Sequence, residues 1–486
     1  MTDATDVQLA TQYESYPYPQ RDPRDEAKRL IAGSPGHLYE VDHWVFGSTR
    51  PADKPLNALI AGGGTGDATI MLAQQMARDG RPGSVTWLDR SSASLRIARA
   101  RATVRKLDNI VWEQRSLLDL PDSGLGPYDY IDCCGVLHHL PDPAEGLRAL
   151  VSVLAPGGGL GLMVYAPHGR TGVYMIQDAL RTLAPPDRPP AERLDIARRV
   201  MRHLPETAWL RLNRNVDDQS KGGDAGLYDL LLNPRDQSFT VPALNTLLAD
   251  AGLRPACWVE PLRYDPAPLM PDPKLRARLA DMDPIARAAL AESLAGNMSV
   301  HIVYCVRAGD APDRADPFAP ETVPVLREVT GDTLAKAIRP DGTLIFGLDG
   351  LQIPVPLPPL GGRDPTAGGR APERRRDRRR TGRIGHGARG VRTRLARDLH
   401  GAGRGQPLAA RGTAVSLCRS MIAAASASAG KKLSIVSSAR VMSVAMPKTV
   451  EVPKRRKGPS TVIRQSACAA ASGSISSSAS SVFRTG

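Results

Sequence analysis

Between Asn57 and Tyr165 the chain alternates short apolar runs with stretches in which apolar residues recur every three or four positions. A short apolar run suits a strand covered on both faces, and the longer period suits a helix lying across it. The pattern predicts strands at Ala58–Ala61, Val85–Leu88, Ile110–Glu113, Tyr130–Cys134 and Leu160–Tyr165. Helices are predicted between them: Asp67–Arg78, Ser92–Lys106 with Leu95, Ala98 and Ala102 on one face, and Pro143–Leu154 with Leu147, Leu150 and Leu154. The run PGGG at Pro156–Gly159 is expected to end the last helix and turn the chain back into a strand. Alternation of this kind specifies a doubly wound α/β fold, with parallel strands joined by crossover helices.

From His168 onward, paired prolines (APPDRPP) and Arg/Leu-rich helical stretches break the alternation, which predicts an inserted helical cap. The alternation then resumes with a helix at Val241–Ala251, a strand near Ala256–Glu260 and another at Val300–Val306. In GTLIFGLDGLQIPVP, Asp349-Gly350 marks the turn of a β-hairpin. The expected organisation is an N-terminal lid or helical segment (1–56), a core (57–167), the cap (168–235), completion of the sheet (236–307), a small β-containing appendage (308–362) and a basic tail (363–486).

Charge separates that tail from the rest. Residues 363–486 hold 26 Lys or Arg against 5 Asp or Glu, which leaves 38 against 45 in residues 1–362. The tail has one aromatic residue, Phe483, and passes from Arg/Gly-rich to Ser/Ala-rich sequence, a composition that cannot build a core and predicts disorder. Its abrupt start after LQIPVPLPPLGG suggests a slipped reading frame near Gly362, which resequencing would settle. Nucleic acid is not an expected partner unless through this tail, because the remainder carries a net acidic charge. The cysteines Cys133, Cys134, Cys257, Cys305, Cys418 and Cys468 form no CxxC pair and no zinc-ligand spacing, so no metal is expected. The chain starts without a basic and apolar leader and has no apolar run of membrane-spanning length, which predicts a cytoplasmic protein without a membrane partner.

The candidate chemistry begins at NALIAGGGTGDATI, where a glycine-rich turn joins the first strand to the first helix. Backbone N–H groups and the positive helix end can there approach a ligand closely. Dinucleotide binders use G-x-G-x-x-G/A, but Asp67 stands where the last small residue belongs; Gly62-x-Gly64-x-Gly66 has the shorter G-x-G-x-G spacing. VTWLDRS leaves Asp89 at the end of the second strand, where a carboxylate can accept both hydroxyls of a ribose or, alternatively, cap the next helix. Downstream come VWEQRSLLDLP, YDYIDCCGVLHHLPDP and LAPGGGLGLMVY.

These motifs, in this order, resemble class I S-adenosylmethionine-dependent methyltransferases of the type 12-like group. The opening YESYPYP with NALIAGGGTG is similar to one bacterial branch of them, and the resemblance covers about residues 13–306. It implies a Rossmann-like seven-stranded sheet, S-adenosylmethionine as cofactor, and a donor site of Gly62, Gly64, Gly66, Asp89, Arg90, Ser116, Leu117 and Gly135. Ser116 and Ile60 depart from it, standing where many members carry acidic residues. His138 and His139 are candidates for proton transfer or for shaping the loop beside the donor. Tyr13, Tyr16 and Tyr18 lie on a proline-stiffened segment that either closes as a lid or packs over the sheet, and His43, Trp44 and Phe46 are expected in core or cap packing.

The resulting expectation is methyl transfer to a small-molecule or protein acceptor, with the oligomeric state open. The alternatives are an S-adenosylmethionine-binding sensor without activity, to which Ile60 and Ser116 lend support, and a nicotinamide-dependent dehydrogenase, which the glycine spacing opposes.

Overall fold

The computed structural model describes residues 4–310, 313–316, 327 and 337–357; the tail and the proposed frame slip lie outside them. Nine strands are labelled here: β1 (Leu56–Ala61), β2 (Gly83–Asp89), β3 (Ile110–Gln114), β4 (Tyr128–Cys134), β5 (Leu154–Tyr165), β6 (Leu253–Trp258), β7 (Val300–Arg307), β8 (Thr343–Leu348) and β9 (Leu351–Pro356). The longer helices are α1 (Ala4–Ser15), α2 (Asp67–Asp79), α3 (Ser92–Arg105), α4 (Pro143–Ser152), α5 (Val173–Leu183), α6 (Pro190–Arg202), α7 (Gly223–Leu232), α8 (Val241–Asp250) and α9 (Pro284–Ala295). The first seven strands form one sheet in the order β3-β2-β1-β4-β5-β7-β6. β1 to β5 pair in parallel, and β7 runs antiparallel to both neighbours.

Both faces of the sheet are covered, which is why β1 is apolar almost throughout. Leu59 and Ala61 join one core with Ile131, Leu147, Leu150, Leu160 and Leu248. Ala58 and Ile60 join the opposite core with Leu72, Met76, Val85, Tyr130 and Tyr304. Val41, Val45 and Phe46 also belong to that second core, which places the VDHWVF segment in packing. Chain order reverses between β1 and β4, so the carboxyl ends of β1, β2 and β4 border the crevice where doubly wound sheets bind ligands.

Two sequence expectations need correction. PGGG does not precede the strand: α4 ends at Ser152 and β5 begins at Leu154. Leu154 pairs with Tyr128 and Gly159 with Tyr130, so residues 155–158 bulge out opposite a single residue. The glycines serve that bulge within the strand, where Gly157 has φ +69°. The strand expected near Ala256–Glu260 starts earlier, at Leu253, directly after Gly252 at φ +72°. Its Pro255 is tolerated because β6 is an edge strand, and the register slips just beyond it.

Helices α5, α6 and α7 share a separate apolar core that includes Val173, Leu180, Leu194, Leu227 and Leu230. The β8–β9 hairpin turns at Asp349 and Gly350, both with positive φ (45° and 92°), as a two-residue turn of the primed type requires. No helix among the described residues is long and apolar enough to cross a membrane.

Candidate functional site

β1 runs into the turn 61–66, in which Gly62, Gly64 and Gly66 adopt φ of 78°, 48° and 104°. Side chains rarely adopt that region, and space excludes them as well. A methyl group at Gly62 would lie 2.2 Å from Val136 Cγ2, one at Gly63 2.2 Å from Trp87 Cδ1, and one at Gly64 2.9 Å from the Tyr18 carbonyl oxygen. The N–H groups of Gly62 and Gly63 donate to Leu88 O, and the Trp87 indole donates to Gly64 O at 3.0 Å. α2 begins immediately afterwards at Asp67, with its N-terminal end turned into this bend.

Asp89, at the end of β2, faces the turn: Oδ2 accepts from Gly64 N at 2.8 Å, and Oδ1 from Ser91 N at 2.9 Å. Burial pushes its pKa up, and the Ser91 and Gly64 N–H groups oppose that shift. The capping role falls to Ser91, whose hydroxyl accepts from Ser94 N at 3.1 Å. Beside Asp89 lies a cleft lined by Asp6, Arg90, Gln114, Arg115, Ser116, Leu118 and Asp119. Ser116 closes a capping box with Asp119: its hydroxyl accepts from Leu118 N at 3.2 Å, while its own N–H donates to Asp119. The Leu117 side chain turns away into the core.

β4 ends at Cys134, and Gly135 follows at φ +79° with its N–H donated to Met163 O. His138 is fully buried and stacks on Tyr165 with ring centroids 3.8 Å apart. Neither of its ring nitrogens has a hydrogen-bond partner, and burial holds its pKa well below the usual value, so the ring is neutral. His139 donates from Nδ1 to Arg235 O at 2.6 Å, which leaves Nε2 as the acceptor nitrogen.

Residues 59–160, from the middle of β1 into β5, match the model of a methyltransferase domain family. The chain carries a class I S-adenosylmethionine-dependent methyltransferase domain. An uncharacterised protein of Synechococcus sp. is 30% identical over 263 residues, which are 52% of this chain and 60% of that protein. A ubiquinone biosynthesis O-methyltransferase of Acinetobacter baylyi is 29% identical over 153 residues, covering 32% of this chain and 60% of its own length. The chain thus spans about three fifths of these curated relatives. Among solved structures, PKMT2 from Rickettsia typhi in complex with AdoHcy aligns with a TM-score of 0.44 at 16% identity, over 58% of this chain and 54% of that one.

The methyltransferase domain is overlaid by the N-terminal segment. Thr65 Oγ1 donates to Pro19 O at 2.7 Å, Ser91 Oγ to Tyr13 O at 3.2 Å, and Arg21 pairs with Asp67 at 2.6 Å. The three tyrosines separate there. Tyr16 stacks on Tyr228 in the cap, at 5.1 Å between centroids. The Tyr13 hydroxyl donates to Asp229 at 3.0 Å, and the Tyr18 phenol lies near Asp229 and Asp218. Burial pushes the pKa of all three phenols up.

Asp229 and Tyr165 were not singled out from sequence, yet they join the N-terminal segment, the end of β5 and the cap. Tyr165 donates to Asp229 at 3.2 Å, and Arg170 lies 3.7 Å over the Tyr165 ring while pairing with Asp236 at 2.7 Å. Asp229 sits in an apolar helix, GLYDLLL, buried from Ala225 to Leu232, that carries no local motif.

Proposed function

We propose that the chain transfers a methyl group from S-adenosylmethionine to a small-molecule or protein acceptor by in-line displacement. The observation that carries this reading is the Asp89 carboxylate bonded across to Gly64 N at 2.8 Å. A carboxylate offers about four lone-pair sites, and backbone N–H groups take two of them here, which leaves acceptors for the two hydroxyls of a ribose. The bend of Gly62, Gly64 and Gly66 keeps side chains off the adjoining space, where the methionyl part would lie against the start of α2. The cleft at Arg90, Ser116 and Leu118 suits an adenine, with the Leu117 N–H and the spare lone pair of Ser116 as its partners. Gly135 would flank the sulfonium from the end of β4.

The donor supplies a methyl carbon already activated by the positive sulfur. The chain's task is then to hold the acceptor in line and keep water out. Holding two reactants in an attacking geometry contributes roughly 7 to 11 kcal/mol. Tyr18 and Pro19, laid over Gly64 and Thr65, supply that cover.

The reading is tested by incubating the full chain with cell extract and methyl-labelled donor, then following label and S-adenosylhomocysteine together. Equal formation of labelled product and S-adenosylhomocysteine is expected. Donor uptake without any product would leave a binding protein in place of an enzyme.

A further inference from the structure

We propose that the methyl acceptor is an amine, held as its ammonium ion by Asp218 and Asp229 and methylated on nitrogen, which rests on the donor reading above. Asp229 is 4% exposed and accepts hydrogen bonds from Tyr13 (3.0 Å), Tyr165 (3.2 Å), Gln12 Nε2 (3.3 Å) and Asn233 Nδ2 (3.4 Å). All four donors are neutral. Burial, followed by the Asp229 charge, pushes the pKa of Asp218 up, and the Arg170 charge opposes that shift. Nearby cations are committed elsewhere: Arg170 to Asp236 at 2.7 Å, Lys221 to Asp217 at 2.6 Å and Arg21 to Asp67 at 2.6 Å. A buried carboxylate without a cation is costly, so Asp229, with the half-buried Asp218 near it, points to a positively charged occupant.

Two further groups carry the same sign. Gln12 must turn its NH₂ toward the Asp229 carboxylate, which leaves Oε1 buried and without a partner. His138, fully buried against Tyr165, is neutral and so leaves one acceptor nitrogen and one N–H without a partner. Between Gln12 and His138, unmet acceptors outnumber the unmet donor. An ammonium ion brings three N–H donors and no acceptor, whereas a phenol or alcohol brings one O–H. Tyr18 ties this cluster to the donor end: its carbonyl packs on Gly64, and its phenol lies near the charges of Asp229 and Asp218.

The chemistry balances within the site. The bound ammonium gives one proton to Asp218, which exposes the nitrogen lone pair. That pair forms the N–C bond as the S–C bond breaks, and sulfur keeps the electron pair, leaving S-adenosylhomocysteine. Positive charge moves from sulfur to nitrogen, where the Asp229 carboxylate stabilises it. The methylated ammonium departs, and Asp218 returns its proton to solvent.

Calorimetric titration of the full chain with benzylamine and with benzyl alcohol at neutral pH, each with and without S-adenosylhomocysteine, tests this proposal. Benzylamine should bind at least roughly tenfold more tightly than benzyl alcohol, as hydrogen bonds to charged groups require. Asp229→Asn and Asp218→Asn should each remove that preference. Equal binding of the two probes, or a preference surviving both substitutions, overturns the proposal. Failure to take up S-adenosylhomocysteine counts against the donor reading alone, since the amine preference is scored without it too. In the labelled-extract experiment the methyl should sit on nitrogen, and a product methylated on oxygen, sulfur or carbon contradicts the amine assignment.

Discussion

Asp132 stands on β4 in register with Ile60 of β1, so the acidic group absent at position 60 has a carboxylate beside it. Its carboxylate lies against Gly36. Tyr130 donates to its Oδ2 at 3.3 Å, Oδ1 has no partner, and burial pushes its pKa up to about 7. A carboxyl group whose folded pKa exceeds its unfolded value favours the fold while protonated, and that contribution is lost as pH rises through the folded pKa. Wild-type protein should therefore lose stability relative to Asp132→Asn between about pH 4 and pH 7, by at most about 4 kcal/mol. Thermal unfolding of both proteins across that range checks the sign, and parallel pH profiles would refute it. The juxtaposition of residues near in sequence pattern was legible: Gly62, Gly64, Gly66 and Asp89 lie around one turn, with Gly64 N donating to Asp89. Asp229 was not, because its Gln12 and Tyr13 partners lie 217 and 216 positions away.

At the scale of elements, the N-terminal segment is fastened where α2 and α3 begin. Glu14 accepts from Ala93 N at 3.2 Å and Ser92 Oγ at 3.0 Å, which places a carboxylate on the positive end of α3. Beneath it, Arg101 bridges Glu26 and Asp67, both at 2.6 Å, and Arg105 also meets Glu26. Arg101 and Glu26 side chains are only 1% and 3% exposed. Removing one partner of such a pair strands the other charge, so Glu26→Gln should cost about 3 to 5 kcal/mol in denaturant unfolding. A loss below about 1 kcal/mol, the range of exposed pairs, would show that this tie is unimportant. Strand and helix periodicity announced the sheet elements, whereas the tie between residues 14–26 and α3 arises from charges far apart in sequence. PGGG was misjudged for a related reason: glycines announce a departure from regular backbone, but only pairing with Tyr128 and Tyr130 shows that the departure lies inside β5.

For the whole molecule, every residue assigned here to donor or acceptor lies between Gln12 and Asn233, within or over the first five strands and the cap. A chain ending at Gly362 should accordingly bind S-adenosylmethionine as the full chain does, despite losing 26 of its 64 basic residues. A tenfold change on truncation, corresponding to about 1.4 kcal/mol, would give residues 363–486 a part in the donor site. The doubly wound order was legible because β1 to β5 and their helices follow one another in sequence. The cap was legible as helical, but its union with the lid through Asp229 was not, since no periodicity encodes which surfaces meet. The central claim is that Asp89, braced against the glycine turn, grips the ribose of the donor. The most direct test is calorimetric titration of S-adenosylmethionine into the full chain and into Asp89→Ala. Loss of two hydrogen bonds to a charged group predicts roughly 100-fold weaker binding in the variant or worse. Equal affinity in the two proteins, or no uptake by either, would contradict the account.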